Sequence, residues 1–365
     1  MTLDLYIARR FLGSFLRVFG VFVGVLTLID LIEQIRRYSD PGIGFGEAMV
    51  LAVLNVPQTL YLILPLVMVL AGIMLFLGLA KSSELVVVRA AGRSGLRFLV
   101  SPVVTALAIG IFAVTVLNPL VAAMSKAYDQ RSAATGQPGT AVLSLSGEGL
   151  WLRQGDNTGQ TVIHASSVSA AGSELGDVSF HLFSPQGQII GRIEATRARL
   201  TPGAWQLEDA KRWDLSEANP EAAAERVAGP LSLPTDLTPS ELVERLGSPA
   251  AVAFWDLSQE AAALERAGFS ATAYRLSYQM ELALPLLLAA MVLVAAGFTM
   301  RHARFGKTGQ MVLYALMGGF LIFFLRNFAQ VLGENGQIPL VIAAWSPPLA
   351  AALLALSLLL HLEDG

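Results

Sequence analysis

Six apolar blocks constrain this chain more than any other feature: three lie before residue 118 and three after residue 277, with polar sequence between them. A bilayer core takes about 20 consecutive apolar residues of helix, and each block has that length. Composition agrees, because 54% hydrophobic and 15% charged residues, with a mean hydropathy of +0.58, lie outside the range of soluble globular domains. The expected fold class is membrane α+β, a six-transmembrane-helix bundle with a large β-domain inserted between spans three and four. Spans one to three occupy 1–117, the inserted domain and its linking helices 118–275, and spans four to six 276–365.

Span one runs from about Phe11 to Ile32 and span three from about Leu96 to Leu117. Span two, about Met49 to Ala80, is longer than a bilayer requires and carries Pro57 and Pro65, so a kink is expected, with Pro65 the better candidate. Spans four to six run from about Leu276 to Met300, Met311 to Leu332 and Ile338 to Leu360. An even number of crossings returns both termini to one side. Arg9, Arg10 and Arg17, then Lys81, Arg89, Arg93 and Arg97, then Arg301, Arg304 and Lys307 all fall on that side, which the positive-inside rule makes cytoplasmic. The large domain is then extracytoplasmic. The first block is a full-length span without a small-residue cleavage site, so it is expected to stay as an anchor.

The inserted segment reads as strands over Ala141–Arg153, Gln160–Val168, Val178–Phe183, Gln188–Ala195, Ala198–Leu200 and Trp205–Trp213, separated by turn signals such as Gly155-Asp156-Asn157 and Thr201-Pro202-Gly203. Short strands at this spacing suggest a sandwich or jelly roll. After Pro234 the pattern turns helical: Thr238, Pro239 and Glu241 fit a capping box, and Ser248-Pro249 opens an amphipathic helix ending near Gly268. With zero cysteines, the domain has no disulfide, and a thiolate metal site or cysteine nucleophile is impossible.

Between spans two and three lies KSSELVVVRAAG, Lys81 to Gly92. Ser82 or Ser83 can cap a short helix over Glu84–Ala91, Glu84 suits its first turn, and Gly92 supplies the stop. Glu84 could serve only to stabilise that helix end. However, Leu85, Val86, Val87 and Val88 are too apolar for a solvated turn and point to a partner groove. Arg36 and Arg37 follow span one on the outer side. They read either as interfacial anchors or as phosphate ligands, for which a guanidinium is suited.

Asp30 near the outer end of span one and Arg326 near the outer end of span five are ionisable residues inside apolar spans. Charges at that depth are costly and usually paired, so Asp30 and Arg326 are expected to form a charge pair, within the chain or with a partner. Gly306-Lys307-Thr308 resembles the end of a P-loop, but Arg301 stands where the leading glycine is required. His164, His181, His302 and His361 are scattered, so neither a metal cluster nor a catalytic triad is supported. No catalytic residue is assigned. A secondary transporter would want mid-bilayer carboxylates and inverted repeats. A membrane-anchored sensor with a β-ectodomain would leave the Glu84 segment and the outer arginines unexplained.

DLIEQIRRYSD after span one, KSSELVVVRAAG, and GQIPLVIAAWSPP before the last span occur in an order and spacing that resembles the lipopolysaccharide export permeases, the LptF/LptG family, across essentially the whole chain. The resemblance implies a non-catalytic multi-pass subunit of the bacterial inner membrane, with a periplasmic β-jelly-roll domain and cytoplasmic termini. It implies a heterodimer of two such permeases on an LptB-like ATPase dimer, which binds the ATP and magnesium, so that this chain itself holds no cofactor. It further implies an LptC-like single-span protein, a periplasmic bridge and lipopolysaccharide as partners, and no nucleic acid. By the same resemblance Ser83, Glu84, Leu85, Val88 and Arg89 belong to the coupling helix that docks on the ATPase, and spans one and five gate a lipid cavity. Arg36 and Arg37, with Arg326, would meet lipid A phosphates.

Overall fold

The computed structural model describes residues 2–37, 44–84, 94–134, 142–146, 149–156, 159–168, 174–184, 187–217, 219–222, 224–227, 229–235, 237, 249–266, 270–300 and 308–364. Among the described residues the helices are α1 (Thr2–Arg37), α2 (Phe45–Leu62), α3 (Leu64–Lys81), α4 (Gly95–Phe112), α5 (Asn118–Ala134), α6 (Leu257–Arg266), α7 (Thr272–Thr299), α8 (Thr308–Glu334) and α9 (Leu340–Asp364). The chain divides into two compact units, one holding Met1–Arg131, Val252–Leu257 and Thr272–Gly365, the other Ser132–Ala251 and Ser258–Ala271.

Among the described residues of the first unit, seven helical stretches are long and apolar enough to span a membrane. Two of them, α2 and α3, are separated by Ile63 alone, at φ −90° and ψ 3°. One residue in that region bends a chain without reversing it, so α2 and α3 are one broken crossing and the described residues hold six crossings. The break falls where Pro65 cannot donate to the carbonyl one turn back. The Leu66 amide bonds three residues back to the Ile63 carbonyl, and the Val67 amide resumes the ordinary helical bond to the same carbonyl. The third crossing runs past Leu117, the boundary expected from hydropathy. A π-helical turn over Ala113–Leu117 joins α4 to α5, absorbing the backbone donor that Pro119 lacks.

α7 is the centre of this unit: 72% of its apolar window is buried, against 11% for α1 and 17% for α8. Lipid tails are as apolar as leucine, so close backbone approach holds membrane helices together. Small residues provide it here. A Cβ on Gly110 of α4 would stand 2.5 Å from the Pro285 Cα of α7, and one on Gly72 of α3 2.8 Å from the Ala295 Cβ of α7. Gly333 and Gly319 of α8 approach Ala343 and Val69 in the same way, each with 2.8–2.9 Å for an added Cβ.

The second unit is a nine-stranded antiparallel sheet: β1 (Val142–Ser146), β2 (Gly149–Asp156), β3 (Gly159–Val168), β4 (Glu174–Phe183), β5 (Ile189–Thr201), β6 (Ala204–Glu208), β7 (Lys211–Asp214), β8 (Glu225–Arg226) and β9 (Leu231–Pro234). The order is β1-β2-β3-β4-β5-β6-β9, with β7 also on β5 and β8 on β7. One face buries Leu150, Leu152, Ile163, Phe180, Ile193, Leu200, Trp205 and Leu207. The long strand β5 divides the sheet, because Gly191–Glu194 pair with β7 and Arg197–Thr201 with β6. Its in-out alternation slips at Thr196 and Arg197, both outward. At that level Asp177 (φ 49°) and Asp209 (φ 54°) adopt left-handed backbone, and the Thr196 hydroxyl lies 3.2 Å from the Glu208 carbonyl, to which it donates.

Several strand limits differ from expectation. Within the run Ala141–Arg153 two paired strands, β1 and β2, are present, Ile189–Thr201 is one continuous strand, and Trp205–Trp213 is two strands broken at Asp209-Ala210, because the left-handed Asp209 carries the chain from one partner region of β5 to the other. The helix expected from the Thr238 capping box lies outside the described residues. At the second expected start, Pro249–Ala251 form a single 3₁₀ turn, and the helix proper begins at Leu257.

Candidate functional site

The end of α3 sets the first site. Ser82 and Ser83 continue the helix hydrogen bonding, their amides donating to Gly78 and Ala80. Ser83 then takes φ 57°, the left-handed helix stop usually filled by glycine. This turn presents Glu84. One guanidinium nitrogen of Arg10, Nη1, lies 2.5 Å from each Glu84 oxygen. The Ser82 hydroxyl donates to Oε1 at 2.7 Å and the Tyr6 hydroxyl to Oε2 at 3.1 Å. The Arg10 guanidinium, followed by the Ser82 hydroxyl, holds the Glu84 carboxyl below the ordinary carboxylate range. The sequence points to Ser82 or Ser83 as the cap of a following helix, whereas the Ser82 hydroxyl is engaged with Glu84 and with the Gly78 carbonyl. Leu85, Val88 and Arg89 lie outside the described residues.

The outer part of α1 carries a second polar set. Asp30 accepts from the Asn55 amide of α2 at 2.7 Å, and the Gln34 amide donates to the Tyr128 hydroxyl of α5 at 3.1 Å. Gln34 is 2% exposed, so these contacts face the bundle interior. Arg36 is exposed on the last turn of α1; Arg37 ends the helix, and its side chain lies outside the described atoms.

Arg326 of α8 belongs to a third set, which the sequence reading missed. Its ionisable neighbours are Glu281 of α7 and Tyr61 of α2. The Tyr61 hydroxyl donates to Glu281 Oε2 at 2.5 Å, and the Asn118 side chain of α5 lies beside both. Among the described residues no ion pair joins Asp30 to Arg326. Within the chain the expected pair is therefore replaced: Asn55 satisfies Asp30 with neutral donors, and Glu281 is the carboxylate nearest in effect to Arg326. Glu281 lies inside the expected span four, Leu276 to Met300, and is a third ionisable residue within an apolar span beside Asp30 and Arg326.

On the sheet, a basin of about 700 Å³ is lined by His164, Asp177, Glu194, Asp209, Lys211 and Arg226. Among the described residues no group of three acids or histidines could hold a metal. Nothing in these three sets has the nucleophile-and-base geometry of covalent catalysis. They are ties between helices, placed at the end of α3, along the outer part of α1, and at the α2–α5–α7–α8 junction.

The model of the family described as lipopolysaccharide export system permease LptF/LptG matches residues 5–361. The chain is 25% identical to the lipopolysaccharide export system permease protein LptG of Escherichia coli K12, over 99% of this chain and 98% of that protein. It is 23% identical to the protein of the same name from Haemophilus influenzae Rd, over 95% of each.

Proposed function

The chain belongs to the LptF/LptG family of lipopolysaccharide export permeases, and from that membership we propose that it is the LptG-type half of an ATP-driven exporter. The observation that carries the proposal is the match over residues 5–361, which takes in every membrane crossing and the inserted sheet together. The LptG side is supported by the names of the similar proteins from Escherichia coli and Haemophilus influenzae.

In this reading the chain is a non-catalytic permease of the bacterial inner membrane. It pairs with an LptF-like permease and an LptB-like ATPase dimer, which holds the ATP and magnesium. Both termini and the Glu84 segment are cytoplasmic, in keeping with the lysines and arginines gathered there. The segment holding Ser83, Glu84, Leu85, Val88 and Arg89 engages the ATPase. Closure of the ATPase squeezes a cavity bounded by α1 and α8, and lipopolysaccharide passes through the periplasmic sheet domain to an LptC-like protein and the bridge beyond. Arg36 and Arg37 meet the lipid A phosphates at the outer end of α1, where guanidinium groups make charge-assisted contacts. Arg326 stands near that level on α8.

Native mass spectrometry of the tagged protein, co-expressed with its own membrane partners and released in mild detergent, tests the proposal. The expected species holds two ATPase copies, one second permease and a bound lipopolysaccharide mass. A lone chain or homodimer without an ATPase overturns it. A complex in which the second permease matches LptG better than this chain does transfers the assignment to the LptF side.

A further inference from the structure

We infer that Val252–Leu257 is a latch through which α8 acts on the chain that carries the sheet, with Asn118 as the residue that joins the two. This rests on the reading of α8 as a wall of the lipid cavity.

Val252–Leu257 belongs to the helical unit, whereas the stretches on both sides of it, Ser132–Ala251 and Ser258–Ala271, belong to the sheet unit. The sheet unit's own chain therefore enters the helical unit and leaves it again within this short segment. Contacts of different kinds hold it there. The Phe254 amide donates to Asn118 Oδ1 of α5 at 2.7 Å. The Phe254 ring is buried and stacks on Tyr278 of α7, with centroids 5.3 Å apart and planes 2° from parallel, an arrangement aromatic pairs favour when offset. The Trp255 indole donates at 3.4 Å to the Thr115 carbonyl, within the π-helical turn between α4 and α5.

Both partners of Phe254 lead to the polar junction of α2, α7 and α8. Tyr278 stands one turn before Glu281 on the same face of α7. Asn118 gives its oxygen to the Phe254 amide, and its side chain lies beside Glu281 and Tyr61. A side-chain amide has an acceptor oxygen and a donor nitrogen in one rigid plane, so a single group serves the segment and the junction together. Glu281 accepts from the Tyr61 hydroxyl at 2.5 Å and is the carboxylate in whose field Arg326 of α8 lies. When α8 carries Arg326 away, Glu281 is left to draw on the neutral donors beside it. The Asn118 nitrogen cannot turn further toward Glu281 without swinging its oxygen off the Phe254 amide. Movement of α8 thus loosens Val252–Leu257 at the point where the chain re-enters the sheet unit. Asn118 is a positioning residue in this scheme.

Residue-resolved hydrogen exchange of the Phe254 amide reads the latch directly. In the purified full-length chain, Asn118→Ala should raise that exchange on the order of tenfold, within the ordinary range of coupling between sites. Arg326→Gln, on another helix, should raise it by a similar factor, and should add little when combined with Asn118→Ala, because the two act on one path. Arg326→Lys keeps the charge, should fall between Arg326→Gln and the parent, and carries the test if Arg326→Gln does not fold. Gln279→Ala is the control: it removes the bond from the Trp345 indole of α9 to Gln279 of α7, outside this path, and should leave Phe254 protected. In the assembled complex in nanodiscs containing lipopolysaccharide, ATP with vanadate should change Phe254 exchange, and Asn118→Ala should abolish that response with two ATPase copies still bound. An exchange rate that answers to Asn118→Ala and to neither Arg326 variant overturns the link. An equal rise in Gln279→Ala overturns it as well, since the bundle is then loosened as a whole. A parent complex that binds the ATPase and exchanges Phe254 equally with and without nucleotide overturns the latch. A complex with no ATPase at all is a different result, because it refutes the proposed function while exchange in the lone chain still decides the link between Arg326 and Phe254.

Discussion

Glu281 shows how much a single intramembrane carboxylate can hold. It accepts from the Tyr61 hydroxyl and lies in the field of Arg326, so its removal leaves that hydroxyl without its acceptor and that cation without its compensating carboxylate. Leaving a buried cation without its compensating charge costs on the order of 3 kcal/mol, whereas losing one hydroxyl donor costs about 1 kcal/mol. Glu281→Ala should therefore lower the thermal midpoint of the purified protein several-fold more than Tyr61→Phe; equal effects would mean that Arg326 does not depend on Glu281. His181, on β4, sets a pH dependence in the sheet. Burial first, and then the nearby Arg192 and His164, hold its imidazole below the ordinary value. The unfolded chain then takes the proton first, so the contribution of His181 is complete above a pH of about 6.5 and is lost as the pH falls below it. Hydrogen exchange of the β3 and β4 amides, corrected for intrinsic rates, should reveal weaker protection at acid pH, and His181→Gln should flatten that slope. None of these partnerships was legible beforehand. Pairing of residues 220 positions apart, as between Tyr61 and Glu281, has no local signature, and the Arg10–Glu84 contact at 74 positions has none either.

At the scale of the helix and the strand, local chemistry was readable wherever one residue type forces the backbone. Pro65 marked the break in the second crossing, and the turn residues marked the strand ends. What escaped was geometry imposed by a neighbour. The strand break at Asp209-Ala210 exists because β5 changes partner there, and the sequence Glu208-Asp209-Ala210-Lys211 carries no glycine or proline to announce it. Glycines divide in the same way, since their identity does not reveal which of them lie against another helix. Gly110 of α4 meets the backbone of Pro285, with 2.5 Å left for a Cβ, while Gly20 of α1 has nothing within 4 Å. A methyl group forced against a helix backbone costs about 1–3 kcal/mol. An exposed mid-helix glycine replaced by alanine gains about 0.5–1 kcal/mol. Gly110→Ala should thus lower the melting midpoint and Gly20→Ala should leave it unchanged or raise it. A Gly110→Ala protein as stable as the parent would mean that α4 and α7 are not in backbone contact.

Across the whole chain, burial is distributed unevenly among helices of nearly equal hydropathy. The apolar windows of α1 and α7 have mean hydropathies of 2.2 and 2.3, yet 11% of one and 72% of the other is buried. Hydropathy therefore identified the spans but could not say which one is the axis, because a lipid-facing leucine and a helix-facing leucine look alike in sequence. The exposed residues of α1 and α8, among them Val21 at 64%, Leu321 at 70% and Phe324 at 63%, form apolar faces whose natural covering in a membrane is lipid tail or another apolar helix. The proposed permease pair makes a specific demand on these faces. A photo-crosslinking side chain placed at Val21 or Leu321 of the assembled complex should capture the second permease or lipopolysaccharide, and one at Leu353 of α9, equally exposed at 66%, should capture bulk phospholipid only. Apolar exposure alone predicts three identical patterns, so the contrast between α1 or α8 and α9 is the informative quantity. Identical adducts at all three positions would remove α1 and α8 as the walls of a lipid cavity.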